Sequence, residues 1–249
     1  GVIVLSDDDG RNWRVAKSPT EVTLTAVHFV DARRGFAVGH DAVILMTEDA
    51  GETWKQVHAA PDEQKPLLAI WFENAEHGIA VGAYSSFYRT SDGGKSWQAV
   101  AEFAGDLHFN ALAGGADGKV FLVGESGLIV RSDDAGRSWT TLTTPYKGSY
   151  FGILRVAETS WLAFGLRGNA FRSNDDGARW NLVSPSSAQA SLMGGTTVPG
   201  GGVVLVGREG TMLESRDRGN SFTARKSADG KALAAVVRLP SGACVLVGE

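Results

Sequence analysis

A short segment with the pattern Ser/Thr-x-Asp-x-Gly-x-x-Trp occurs six times in this sequence. The copies lie at Ser6–Trp13, Thr47–Trp54, Thr90–Trp97, Ser132–Trp139, Ser173–Trp180 and Ser215–Phe222, and only the last has Phe in place of Trp. The aromatic positions follow one another at intervals of 41, 43, 42, 41 and 42 residues. Self-similarity at a period of ~40–50 residues indicates a propeller or a repeat array.

Each repeat unit predicts four short strands separated by turns. In the first full unit the predicted pieces are a strand at 24–30, a turn at 31–35, and further strands at 36–39, 42–46 and 54–57. The pieces are rich in strand-forming residues and bounded by Gly and Asp, and no helix-length periodic segment separates them. Four antiparallel strands per ~42 residues make one blade of a β-propeller.

The two ends of the sequence predict how the repeat closes. The final segment Val245–Glu249 followed by Gly1–Gly10 matches Phe121–Gly136, with one residue missing at the join. We therefore predict an all-β, six-bladed β-propeller of four-stranded antiparallel blades, in which the N-terminal outer strands pair with the C-terminal inner strands and remove the open edges. The predicted single domain covers 1–249, with blades near 22–59, 66–102, 107–144, 149–184, 189–226, and 231–249 plus 1–17.

The repeated segment has the chemistry of a turn. Its Asp can accept hydrogen bonds from nearby backbone N–H groups, and its Gly permits a positive φ. A calcium loop of the EF-hand type would need an oxygen ligand five residues before the Gly, where Leu5 and Arg131 stand in two copies. We predict structural roles, and no metal ligation, for Asp8, Asp49, Asp92, Asp134, Asp175 and Asp217, and for Trp13, Trp54, Trp97, Trp139, Trp180 and Phe222.

Composition narrows the function classes. The formal net charge of -4 argues against nonspecific nucleic-acid binding. No run of ~20 apolar residues is present to span a membrane. The single Cys244 cannot form an intrachain disulfide, and five scattered histidines offer no metal-ligand spacing. We predict no cofactor, and no secretory signal peptide is recognisable in this sequence.

The repeats resemble a known family. The segments "SDDDGRNW", "TEDAGETW" and "TSDGGKSW" are similar to Asp-box repeats, also called bacterial neuraminidase (BNR) repeats. The longer pattern "VHFVDARRGFAVGHDAVILMTEDAGETW" resembles the photosystem II stability/assembly factor family and its relatives in non-photosynthetic bacteria. Photosynthetic members usually have seven blades, whereas this sequence predicts six. The resemblance implies a non-enzymatic scaffold that binds a protein partner and assists a membrane or exported complex, outside the cytoplasm and thus periplasmic in a bacterium.

Candidate binding residues come from two kinds of loop that meet at one face of a propeller. The loops between second and third strands offer His40, Asp41, Tyr84, Glu125, Arg167, Arg208 and Glu209. The loops entering the first strands offer Lys65, His108, Asn110, Tyr146, Lys147, Tyr150 and Gln189. Because aromatic and arginine residues dominate binding hot spots, we predict partner binding by Arg167, Arg208, Tyr146, Lys147, Tyr150, Tyr84 and His40. The alternative is that these are ordinary solvated loop residues.

Two other functions stay open at this point. A glycan-binding or sialidase-type propeller would need three arginines around a tyrosine nucleophile, which Arg167, Arg208 and Tyr84 or Tyr150 supply only in part. The Phe/Tyr-Arg-Ile-Pro motif of sialidases and the Gly-x-Ser-x-Gly elbow of serine hydrolases are both absent. The chain could also be one domain of a larger cell-surface protein.

Overall fold

The computed structural model describes residues 1–185 and 187–249, and it consists of antiparallel strands joined by turns. The chain divides into two compact units, one made of residues 1–119 and 134–137 and the other of residues 120–133 and 138–249. No helix in the described residues is long and apolar enough to cross a membrane. Short 3-10 turns occur at His40–Ala42, Pro61–Glu63, Leu166–Gly168, Pro199–Gly201 and Arg208–Gly210.

The first unit contains β1 to β11. Their bounds are Val4–Leu5, Arg14–Val15, Leu24–Phe29, Gly35–Gly39, Ile44–Thr47, Lys55–His58, Leu67–Phe72, Gly78–Gly82, Phe87–Thr90, Gln98–Ala99 and Phe109–Gly114. Strands β3-β4-β5-β6 form one four-stranded sheet and β7-β8-β9-β10 a second, while β1 pairs with β2 alone. Each strand pairs with the next one along the chain, which is the meander of a propeller blade.

The second unit contains β12 to β24. Their bounds are Val120–Gly124, Ile129–Ser132, Thr140–Thr141, Tyr150–Ala157, Ser160–Gly165, Ala170–Ser173, Asn181–Leu182, Leu192–Val198, Gly202–Gly207, Thr211–Ser215, Thr223–Lys226, Leu233–Arg238 and Cys244–Gly248. Strands β15 to β18 and β19 to β22 form four-stranded sheets, β12-β13-β14 pair in sequence, and β23 pairs with β24. The predicted all-β class built of antiparallel blades is confirmed. The joining of β1–β2 with β23–β24 into a sixth blade, and the single domain, stay predictions.

The second strand of each blade forms the core. All residues of β4, β8, β12 and β16 are buried, and these strands read as nearly continuous apolar runs because both of their faces are covered. The fourth strands β10, β14 and β18 have two residues each, all exposed. Burial therefore decreases from the second strand to the fourth strand, the gradient expected when sheets pack face to face.

Five first strands carry an irregularity near their beginnings. The register between β3 and β4 shifts between Leu24 and Ala26, and β7, β15, β19 and β23 shift at the matching place. Gly39 lies opposite Leu24, and a side chain at Gly39 would overlap the carbonyl oxygen of Thr23. The Val-Gly pair that recurs in the sequence is therefore explained by close approach of two backbones.

The predicted strand boundaries of the first full blade differ from the observed ones by at most two residues, and the largest difference is at the start of the third strand. The third strand of the first full blade begins at Ile44 and not at Ala42. Asp41 and Ala42 both have positive φ values, 57° and 51°, and form a tight turn in which the N–H of Val43 donates to the carbonyl oxygen of His40 at 3.0 Å. Two consecutive left-handed residues match the twist of a hairpin but cannot continue a strand.

Candidate functional site

The turns between the second and third strands share one geometry in both units. The paired left-handed residues are Asp41–Ala42 and Tyr84–Ser85 in the first unit, and Ser126–Gly127, Arg167–Gly168 and Glu209–Gly210 in the second. This is the type I′ arrangement of two-residue hairpin loops, which projects the side chain of the first left-handed residue away from the sheet end. The first left-handed residues of these turns occupy equivalent positions, and they include Asp41, Tyr84, Arg167 and Glu209. Arg208 lies one residue before Glu209 and is therefore not at the position of Arg167.

Backbone hydrogen bonds fix these turns to the loops that enter the first strands. The N–H of His40 donates to the carbonyl oxygen of Thr23, and that of Leu166 to Ser149, each at 2.9 Å. The N–H of Ala42 donates to Lys65, at the entry of the following repeat, at 2.8 Å. The turns at 40–42, 83–85 and 166–167 are thus each hydrogen-bonded to their own entry loop and to the next one. Within each unit the two kinds of loop from which the sequence drew its candidates lie side by side.

In the second unit, the backbones of two predicted binding residues, Arg167 and Arg208, are both hydrogen-bonded to Ser191. The backbone N–H of Arg167 donates to the Ser191 hydroxyl at 3.3 Å, and that of Arg208 to the Ser191 carbonyl oxygen at 2.9 Å. Both arginine side chains are exposed, and neither forms an ion pair with another described residue. The two fixed backbones therefore present two exposed guanidinium groups, beside the exposed carboxylate of Glu209, on one surface. We name residues 146–149, 166–168, 189–191 and 208–210 the turn surface of the second unit.

Tyr146 is half-buried beside the Arg167 turn. Its hydroxyl donates to the carbonyl oxygen of Leu166 at 3.0 Å, and its ring makes an edge contact with Tyr150, with centroids 5.5 Å apart. Asn169 approaches the same hydroxyl at 3.4 Å. The tyrosine thus braces the turn that presents Arg167. Neither Asn169 nor Ser191 was among the sequence candidates, because no repeat pattern marks a residue whose part is to hold a neighbouring turn.

Tyr150 is fully buried, and Lys147 is exposed. Burial raises the pKa of Tyr150 to about 12, so the phenol stays protonated at neutral pH. Any effect of Tyr150 on a partner must pass through Tyr146. A protonated, enclosed phenol does not suit the tyrosine nucleophile that a sialidase requires.

The first unit places Tyr84 and His40 on its own turns. Tyr84 is 50% exposed at a φ of 53°, and its ring makes an edge contact with His108 at a centroid distance of 4.9 Å. His40 is exposed at the turn that includes Asp41. Holding a non-glycine residue in the left-handed region costs free energy, and such strain often marks a site where a side chain is presented for recognition. Partner binding by all seven residues stays a prediction.

The repeated Asp segments lie at the other end of the third strands, and their Ser or Thr, Asp and Gly residues are hydrogen-bonded to one another. In the second copy, the Thr47 hydroxyl donates to Asp49 at 2.8 Å and accepts from the Gly51 N–H at 2.9 Å. Asp49 also accepts from the Thr53 N–H at 2.9 Å, and the Trp54 indole donates to the Gly51 carbonyl oxygen at 2.9 Å. The Thr47 hydroxyl, the Asp49 carboxylate and the Trp54 indole are thus all used to close the turn of the segment, as expected for a structural element.

These bonds hold the carboxylates in their charged form. Hydrogen bonds from hydroxyl and backbone N–H groups lower the pKa of Asp49, Asp92 and Asp217 to about 2. Trp54, Trp97 and Trp180 are 7% exposed, and Trp13 is 51% exposed. Among the described residues no group of three or more His, Cys, Asp or Glu side chains is arranged to hold a metal ion.

Comparison with known proteins identifies relatives of this chain. The family model described as photosynthesis system II assembly factor YCF48 matches residues 5–189. A solved structure titled "YCF48 bound to D1 peptide" superposes with a TM-score of 0.75 at 19% identity, covering 100% of this chain and 82% of that chain. YCF48 from Cyanidioschyzon merolae gives a TM-score of 0.65 at 17% identity, covering 89% and 77%. No curated protein matches.

Proposed function

The chain belongs to the photosynthesis system II assembly factor YCF48 family, and from this we propose that it is a non-enzymatic scaffold that binds a peptide segment of a client protein. A relative of the same fold has a structure with a bound D1 peptide, which supports a protein partner. We further propose that the client belongs to a membrane or exported complex and that the protein acts in the periplasm.

The observation that carries the binding proposal is the turn surface of the second unit. Arg167 and Arg208 are exposed, lack ion-pair partners among the described residues, and have their backbones fixed to Ser191. Because the turns are already ordered, a partner does not have to spend free energy on ordering them. Arginine beside tyrosine is the composition of binding hot spots, and two unpaired cations favour a peptide segment that carries carboxylates.

The test is a binding measurement on a defined variant. The wild-type protein is used to capture partners from a native envelope extract, and overlapping synthetic peptides of the captured protein are then titrated against it. The variant is Arg167→Glu together with Arg208→Glu. We expect it to bind the captured segment at least about tenfold more weakly, because two attractive contacts become repulsive.

A matched control reverses two arginines elsewhere in the second unit. Arg179 and Arg216 are exposed and belong to the Asp segments at the other end of the strands. The double variant Arg179→Glu, Arg216→Glu changes the net charge by the same amount and leaves the turn surface intact, so it should bind like wild type. Equal loss in both variants would mean that only overall charge matters, and equal retention would exclude the turn surface.

A further inference from the structure

A polar pocket of ≈ 230 Å³ lies in the first unit, at the end of the strands opposite to the turns. It is lined by Trp71, Glu73, His77, Ile79, Arg89 and Arg137, together with Ser, Thr and Gln side chains of the third Asp segment and its strands. None of these residues belongs to the surface that we propose for peptide binding. The pocket is smaller than the ~300–1,000 Å³ typical of drug-sized ligands and suits a single ring.

The pocket exists because two repeat positions have smaller residues here than in the preceding repeat. In the preceding repeat, Phe36 stacks on Phe72 with centroids 4.5 Å apart and fills the corresponding space. One repeat later, Ile79 stands at the position of Phe36, and Gly114 stands at the position of Phe72. The Trp71 ring lies against Gly114 and replaces only part of the missing volume.

In two other repeats an arginine of the third strand is hydrogen-bonded to the next Asp segment, whereas the matching arginine beside this pocket forms an ion pair instead. Arg131 and Arg172, at the third position of β13 and β17, donate to a backbone carbonyl oxygen of the following Asp segment at 2.8 and 2.9 Å. Arg89 occupies the same position in β9, but it forms an ion pair with Glu102 at 2.8 Å. The turn that contains Ala135 is therefore left as part of the pocket wall.

Both arginines of the pocket are already paired with carboxylates, which decides the class of guest. Arg137 pairs with Glu73 at 3.3 Å inside the pocket, and Arg89 pairs with Glu102, which lies outside the lining. The lining also contains Ser, Thr and Gln side chains, so it offers both hydrogen-bond donors and acceptors. A hydroxyl group donates and accepts at once and satisfies both kinds of neighbour. Trp71 provides an apolar wall for the face of a ring.

We propose that this pocket binds one neutral sugar ring, either a free monosaccharide or the terminal unit of a glycan. The ring's hydroxyl groups contact the paired Glu73 and Arg137 side chains, and its apolar face lies toward Trp71 and Ile79. The geometry needs no metal and no covalent step. This site is independent of peptide binding, so loss of either activity leaves the other in place.

The test uses the indole N–H signals of the 15N-labelled protein in nuclear magnetic resonance. The signal of Trp71 is assigned from its absence in Trp71→Phe. Glucose, galactose and N-acetylglucosamine are titrated to about 50 mM, a range that detects millimolar affinity. We expect at least one of them to shift the Trp71 signal in a saturable way. A parallel titration with the matching disaccharides distinguishes a free sugar from a glycan terminus. Binding of both the monosaccharide and the disaccharide indicates a site that is open at one end and accepts a glycan terminus, whereas binding of the monosaccharide alone indicates a site for a free sugar.

Two variants and one control locate the binding. Arg137→Ala and Glu73→Gln should each weaken the titration about tenfold, since each leaves a hydroxyl group of the sugar without its partner. Lys95 is an exposed cation at the same position of the preceding Asp segment and does not line the pocket, so Lys95→Ala should bind like wild type. The proposal is overturned if no sugar shifts Trp71, if both variants bind unchanged, or if glutarate shifts Trp71 while neutral sugars do not.

Discussion

Gly94 shows how tightly the junction between the first two full repeats is packed. Its φ is +80°, and a Cβ placed on it would overlap the ring of Phe36, which is fully buried against Phe72 and Trp97. Gly94→Ala therefore has two costs. The left-handed conformation costs about 1–2 kcal/mol for a residue with a Cβ, and overpacking a close-packed core costs about 1–3 kcal/mol more. We expect a loss of about 2–5 kcal/mol in the free energy of unfolding.

A second glycine separates the two costs. Gly200 has a φ of +76°, and a Cβ placed on it would meet nothing within 4 Å. Gly200→Ala should therefore lose only the conformational part, about 1–2 kcal/mol. The comparison isolates the steric term because the φ angles of the two glycines, +80° and +76°, are nearly the same.

A double-mutant cycle identifies the ring that causes the clash. Phe36→Leu removes the ring atoms that the new methyl group would meet, at a cost of its own of about 1–3 kcal/mol. In that background Gly94→Ala should cost only about 1–2 kcal/mol, so the two changes should couple by roughly 1–3 kcal/mol. Urea unfolding followed by tryptophan fluorescence and by circular dichroism measures each value, and coincident transitions justify a two-state treatment. Equal costs at Gly94 and Gly200, or additive effects in the double variant, would refute this reasoning.

Three further outcomes are expected. Ala42→Gly should raise the free energy of unfolding by up to about 1 kcal/mol, because relief of the left-handed conformation at a φ of 51° (about 1–2 kcal/mol) exceeds the loss of a buried methyl group (about 0.8 kcal/mol). A lower urea midpoint than that of the wild type would show that the strain at Ala42 is the smaller of the two effects. The carboxyl groups of Asp49, Asp92 and Asp217 have pKa values of about 2 in the folded protein, below ~3.9 in the unfolded chain. Their contribution to the free energy of unfolding is therefore present above pH ~4 and lost as the pH falls toward 2. Asp92→Asn should make this acid dependence shallower in unfolding experiments between pH 5 and 2. The pKa of Tyr150 is about 12 in the folded protein, so the free energy of unfolding should fall from pH ~10 upward, where the phenol ionises in the unfolded chain first. An absorbance titration should show one tyrosine that ionises at higher pH than the others, and this step should be missing in Tyr150→Phe.

Sequence patterns predicted the features that depend on neighbouring residues. The bonds that close the Thr47–Trp54 segment join residues at most four positions apart, so their chemistry is present in the segment itself. The positions of the strands follow from apolar runs bounded by Gly and Asp. The largest displacement of a predicted boundary, at Ala42, lies where two left-handed residues make a turn without a glycine.

The sequence predicted which loops carry the candidate residues, but not which residues of those loops are in contact with one another. The sequence placed Arg167 and Arg208 in neighbouring turns, and the structure adds that both backbones are fixed to Ser191. It also places the Tyr150 side chain in the core, although Tyr146, four residues earlier, is at the surface. Both tyrosines occur in the same loop sequence, and only packing against other strands determines which one is covered.

The repeat, the strand order within each blade and the local turns can be read from the amino-acid sequence, because they depend on residues a few positions apart and recur every ~42 residues. The differences between repeats become visible only in the folded chain. Arg89 forms an ion pair with Glu102 while Arg131 reaches the next Asp segment, and a pocket opens where Ile79 and Gly114 replace two phenylalanines. The physical reason is that a junction is filled by side chains from two repeats at once. Its volume and its ion pairs depend on distant residues together, and no single repeat contains that information.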